Sequence, residues 1–135
     1  MASSGRFYTE QFGCAFVPPE RDYSGTDLAA GTGVEGAALK GAHLRLPGHR
    51  SDGPTLEIYQ YAQNESRLPP AANRRGFGHI AFAVDDVAKS REGVLKAGGG
   101  SVGEVVKLQT SDGRSVTWCY VSDPEGNLVE LQAWR

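Results

Sequence analysis

The stretch that most limits what this chain can fold into is residues 76–86, Gly-Phe-Gly-His-Ile-Ala-Phe-Ala-Val-Asp-Asp. From Phe77 to Val84 it is apolar and β-compatible, with glycines before it and two aspartates after it, so it reads as a strand that runs into a helix start. Side chains alternate across a strand. Phe77, His79, Ala81 and Ala83 therefore share one face, and Ile80, Phe82 and Val84 share the other. The second face is bulky and suits a core under helices. The first holds one imidazole between small alanines, which leaves room beside the ring for a metal or a ligand, although a strand histidine also serves simply as a structural residue.

At 135 residues there is one domain's worth of sequence. A net charge of −2 carries no nucleic-acid footprint, and no apolar run reaches the roughly 20 residues that a membrane span needs. The N-terminus lacks the charged-then-apolar pattern of a secretion signal. The two cysteines, Cys14 and Cys119, form no Cys-x-x-Cys motif. A cytoplasmic protein with reduced thiols is expected.

In chain order, residues 7–13 predict the last turns of a helix, with aromatics one turn apart and Gly13 as the stop. Residues 14–17 predict a short strand closed by Pro18-Pro19. The polar, glycine-rich residues 20–36 predict a mobile loop over a cleft mouth. Strands follow at 41–46 and 55–61, and a linker at 62–75. In the second half a helix capped by Asp85 or Asp86 runs to about Ala97 and ends at three glycines. Strands follow at 102–108, 115–121 and 128–134. Turns at Ser111-Asp112-Gly113 and Asp123-Pro124-Glu125-Gly126 join them.

The halves repeat each other. Leu56-Glu57-Ile58 matches Val129-Glu130-Leu131, and each triplet closes a half. A glutamate between two core-facing aliphatics points away from that core. Two such glutamates at equivalent positions, together with His79 on the less bulky face of its strand, predict three ligands around one divalent ion. His43 and His49 are expected at the surface or in turns. Cys119 is expected to be buried and inert.

These residues resemble the vicinal oxygen chelate superfamily, which includes glyoxalases, extradiol dioxygenases and bleomycin-binding proteins. The Gly-His-Ile-Ala-Phe-Ala-Val-Asp-Asp stretch, the Asp-Pro-Glu-Gly-Asn turn and the Val-Glu-Leu strand resemble its second module. Residues 34–61, ending in Leu-Glu-Ile, resemble the end of its first. The resemblance implies an α+β fold of two βαβββ modules, at 1–61 and 76–135, forming one glyoxalase-like domain. It implies that Glu57, His79 and Glu130 match three of four metal-ligand positions, the ion being zinc, nickel, cobalt, manganese or iron. His79 stands 19 residues before Gly98; the same interval counted back from Gly13 ends about six residues before Met1. The first module is thus expected to lack its N-terminal strand and the fourth ligand.

The implied function is a metal-dependent lyase or isomerase of the glyoxalase type, working through enediolate chemistry on a small oxygen-rich substrate. Glu130, or failing it Glu57, is the expected base. The alternative is a metal-free binding protein for an antibiotic or metabolite, with Tyr59, Tyr61, Trp118, Tyr120 and Trp134 lining its cleft. An extradiol dioxygenase ranks lower, because only one histidine matches. A homodimer is expected, since an unpaired strand edge at 55–61 would invite another chain.

Overall fold

The computed structural model describes residues 3–135. It shows an α+β protein that divides into two compact units, Met1–Arg67 and Leu68–Arg135. In the second unit the predicted strand and helix are both present. Strand β4 (Ile80–Ala83) lies parallel to β8 (Leu128–Trp134), with Ala81 opposite Glu130. The strand is shorter than the predicted 77–84. Its ladder on β8 starts only at Ile80, and Phe77 stands fully in solvent. His79 therefore sits one residue before the strand, while Val84 extends the pairing through its N–H to the Gln132 carbonyl at 2.9 Å.

Helix α3 (Val87–Lys96) starts where predicted. The Asp86 carboxylate accepts the Lys89 N–H at 2.9 Å and so satisfies one of the free donors of the first turn. Val87 and Val94 turn inward and are buried. The chain then reverses through Gly98, at φ 89°, and Gly99. A Cβ on Gly99 would fall 2.4 Å from the Ser122 carbonyl oxygen and 2.6 Å from a Val94 methyl, so only glycine allows the helix end to press onto the sheet.

The predicted strand at 102–108 is instead two pieces, β5 (Gly100–Ser101) and β6 (Val106–Gln109), both antiparallel to β7 (Ser115–Ser122). Between them only Gly103 N–H reaches β7, at the Tyr120 carbonyl. The sheet order is β4-β8-β7-β5, with β6 also on β7. Phe82, Cys119, Val121, Val129 and Leu131 are buried on the face packed by α3. The sequence of elements is the βαβββ plan, its second strand interrupted.

The first unit follows the same plan without a leading strand among the described residues: α1 (Ser3–Phe12), β1 (Ala15–Ser24), α2 (Thr26–Thr32), β2 (Ala38–Arg45) and β3 (Thr55–Tyr61). Phe7, Tyr8 and Phe12 pack their rings together, Phe7 edge-on to the other two at 5.3 and 5.8 Å. Gly13, at φ 70°, ends α1 as predicted, with Cys14 N–H bonded back to the Tyr8 carbonyl. The antiparallel order is β1-β2-β3. Ala42 and Leu44 of β2 are buried, with Leu56 and Ile58 half-buried opposite them.

Two expectations here are corrected. Pro18-Pro19 does not close the first strand, because β1 lies at the edge of its sheet and its register shifts between Val17 and Arg21, where the prolines owe no ladder bond. Residues 20–36 are not a loop. Arg21–Ser24 pairs with β2, including an Asp22–Lys40 ion pair at 3.1 Å, and α2 follows, ending at Gly33 in the left-handed region. The segment is polar because it faces solvent, not because it lacks structure. The chain from 62 to 79 carries no helix or strand.

Candidate active site

On β7 and β8 alternation leaves one face to α3 and the other free of it. The free face carries Trp118 opposite Gln132 and Tyr120 opposite Glu130. His79 joins them from the approach to β4. Its Nε2 lies 2.9 Å from Glu130 Oε2, with side chains 31% and 18% exposed. The imidazole tilts against the Tyr120 ring at 4.8 Å, and Tyr120 in turn meets Trp118 edge-on at 5.2 Å. Burial, followed by the nearby Glu130 charge, pushes the Tyr120 phenol above its ordinary range. Tyr120 is thus held as a protonated donor.

The first unit holds a matching arrangement. His43 and Glu57 are direct cross-strand partners, as Tyr120 and Glu130 are. The His43 Nε2 is 3.5 Å from Glu57 Oε1 and 2.5 Å from the Tyr59 hydroxyl. The Tyr59 ring can lie there because its cross-strand neighbour is Gly41. A Cβ at position 41 would stand 2.5 Å from the ring and 2.0 Å from the Ile58 carbonyl oxygen. Burial first, then the Glu57 charge, raises the Tyr59 phenol as well.

The expected surface role of His43 is therefore corrected: its side chain is 23% exposed and shares one imidazole nitrogen between a phenol and a carboxylate. Alternation placed His43 and Glu57 each on the polar side of its strand. What sequence reading missed was their register. His49 is exposed in the turn between β2 and β3. Cys14 and Cys119 are free thiols, buried, and raised in pKa chiefly by that burial.

Donor chemistry and spacing suit a divalent metal. Two ligands about 2.1 Å from one ion lie about 3.0 Å apart in octahedral and about 3.4 Å apart in tetrahedral geometry. The His79–Glu130 and His43–Glu57 separations, 2.9 and 3.5 Å, fall at these values. Among the described residues no group of three or more His, Cys, Asp or Glu side chains is gathered as a metal cluster. Each unit brings one imidazole nitrogen and one carboxylate oxygen together.

A family model for the glyoxalase/bleomycin resistance protein/dioxygenase superfamily matches residues 1–131. The chain belongs to that superfamily. A curated relative from Vibrio parahaemolyticus, named "Probable lactoylglutathione lyase", is 32% identical over 85 residues, 62% of this chain and 56% of that protein. The chain thus spans little more than half the length of that relative. Among solved structures, a glyoxalase family protein from Bacillus cereus matches with a TM-score of 0.76 at 21% identity, over 93% of this chain and 80% of the other. A glyoxylase/bleomycin resistance protein/dioxygenase domain from Frankia matches with a TM-score of 0.53 at 18% identity, over 98% and 82%. At such identities the likeness is one of fold, and the glyoxalase-superfamily fold is the one described above.

Proposed function

We propose that this superfamily member is a metal-dependent lyase or isomerase of the glyoxalase type, with Glu57, His79 and Glu130 as metal ligands. The observation that carries the reading is the His79–Glu130 pair, a neutral-capable nitrogen and a carboxylate 2.9 Å apart on a face not packed by the helix. A divalent ion held by these residues would supply Lewis-acid stabilisation of negative charge on two adjacent substrate oxygens. Glu130 moves the proton at the carbon beside the substrate carbonyl. Tyr120, kept protonated, donates a hydrogen bond to a substrate oxygen. The Trp118 indole N–H beside it is buried without a hydrogen-bond partner among the described residues.

The test is elemental analysis of protein purified without chelator, alongside His79→Ala and Glu130→Gln. Formation of lactoylglutathione, the compound in the relative's name, is assayed in the same preparations. Stoichiometric metal that both variants lose supports the reading; a wild-type protein that neither retains nor takes up a divalent ion refutes it. The second reading is a metal-free binding protein. The aromatic pair Trp118–Tyr120 on the same face favours it, and tight binding of an antibiotic or metabolite by metal-free protein would establish it.

We also propose a cytoplasmic homodimer. No helix among the described residues is long and apolar enough to cross a membrane, and both thiols are unpaired. Within the first unit's sheet β3 is hydrogen-bonded on one side only among the described residues, and a free edge favours pairing with a second chain. Light scattering coupled to size exclusion checks this, and a monodisperse monomer at micromolar concentration overturns it.

A further inference from the structure

The two units place different residues beside their equivalent glutamates. In the second unit the register position across β7 from Glu130 is Tyr120, a ring without a metal-binding nitrogen. The same position across β2 from Glu57 is His43. Its Nε2 is the atom that approaches the carboxylate, at 3.5 Å, so nitrogen and oxygen converge without a change of rotamer. Glu57 is half exposed and open to an incoming ion. The Tyr59 hydroxyl lies 2.5 Å from the same Nε2 and holds the ring in its orientation. Gly41 supplies the space for that phenol.

We propose that His43 is a metal ligand together with Glu57, so that the first unit contributes a nitrogen–carboxylate pair for a divalent transition metal. The proposal rests on the reading of Glu57 as a ligand and extends it to a residue outside the set Glu57, His79 and Glu130. An ion bound here takes the Nε2 lone pair, and the Tyr59 hydroxyl must then release it. No covalent step is involved.

The experiment loads the full chain with Co(II) and counts hyperfine-shifted imidazole N–H resonances, which arise only from coordinated histidines. The chain has three histidines, and His49, exposed in its turn, is the internal control. Two shifted N–H signals are expected, one lost in His43→Ala, the other in His79→Ala, and neither in His49→Ala. His43→Ala also weakens Co(II) binding at least tenfold, whereas Tyr59→Phe, which frees Nε2, leaves the affinity at or above that of the wild type. A single signal that persists in His43→Ala overturns the proposal and leaves the His79–Glu130 reading intact. A tenfold loss in Tyr59→Phe also overturns it, because the imidazole then serves the phenol and not the ion. If the wild type binds no Co(II), the proposed function and this extension fall together.

Discussion

Replacing Asp123 tests how the second unit fixes the register on which its candidate site depends. Asp123 is 2% exposed and begins the turn between β7 and β8. Its carboxylate accepts hydrogen bonds from the Glu125 N–H at 2.9 Å, the Asn127 N–H at 2.8 Å and the Asn127 side-chain amide at 2.7 Å. The backbone closes the same turn through Gly126 N–H to the Asp123 carbonyl. A hydrogen bond to a charged group contributes about 1.5–3 kcal/mol net. Removal of these three does not add up to that sum, because Glu125 is exposed and water can take its N–H in the variant. The two Asn127 donors are half-buried and carry most of the loss. Asp123→Ala is therefore expected to cost about 3 kcal/mol, a large share of a total stability of about 5–15 kcal/mol. Asp123→Asn keeps an acceptor for both backbone N–H groups and should cost about 1 kcal/mol. Urea unfolding followed by tryptophan fluorescence reads this directly, since Trp118 and Trp134 lie on the two strands that the turn joins. The midpoint should fall with the slope unchanged. An Asp123→Ala midpoint within about 0.5 kcal/mol of wild type would refute the reasoning, as would equal losses for the two variants.

Leu44→Ala and Leu131→Ala, at fully buried positions, should each cost about 2–5 kcal/mol in the same assay, while Leu108→Ala, half exposed on β6, should cost under about 1 kcal/mol. Gly41→Ala should cost about 1–3 kcal/mol and separate Tyr59 from His43, seen as loss of the Tyr59–His43 cross-peaks by NMR; unchanged cross-peaks would contradict the packing argument. The Tyr120 phenol should ionise above the ordinary tyrosine range in an ultraviolet titration, and Glu130→Gln should lower it only part-way, because burial is the larger cause. Its folded pKa is raised, so its contribution to stability is complete below about pH 10 and is lost as pH rises beyond that. Tyr120→Phe should flatten this alkaline decline.

Strand faces were legible because period-2 alternation is local: Leu56 and Ile58 against Glu57 and Tyr59, and Val129 and Leu131 against Glu130, stand on the sides that alternation assigns. The helix ends were legible for the same reason, since Asp86 and Gly13 act on atoms within a few residues of themselves. Edges were not. Whether Pro18-Pro19 ends a strand depends on whether that strand has a neighbour on its N–H side, and this is a property of the sheet and not of the dipeptide. Nor was α2 visible, because it buries no residue and so leaves no apolar stripe to read.

The candidate site divides along the same line. Each glutamate was visible as the polar member of an aliphatic triplet, but its cross-strand partner is set by hairpin register, a pairing over 14 residues for His43 and Glu57 and 10 for Tyr120 and Glu130. That register is what separates the two units chemically. In the second, the glutamate meets a histidine that stands just before a parallel strand and an aromatic ring that braces it. In the first, the brace position itself is a histidine, and the phenol that steadies it comes from two residues along the glutamate's own strand. A repeat that preserves the carboxylate while moving the nitrogen to another strand keeps the donor types needed for a divalent ion and changes the direction from which one of them arrives. The exchange depends on Gly41, because any side chain there would displace Tyr59 and leave the imidazole unsupported.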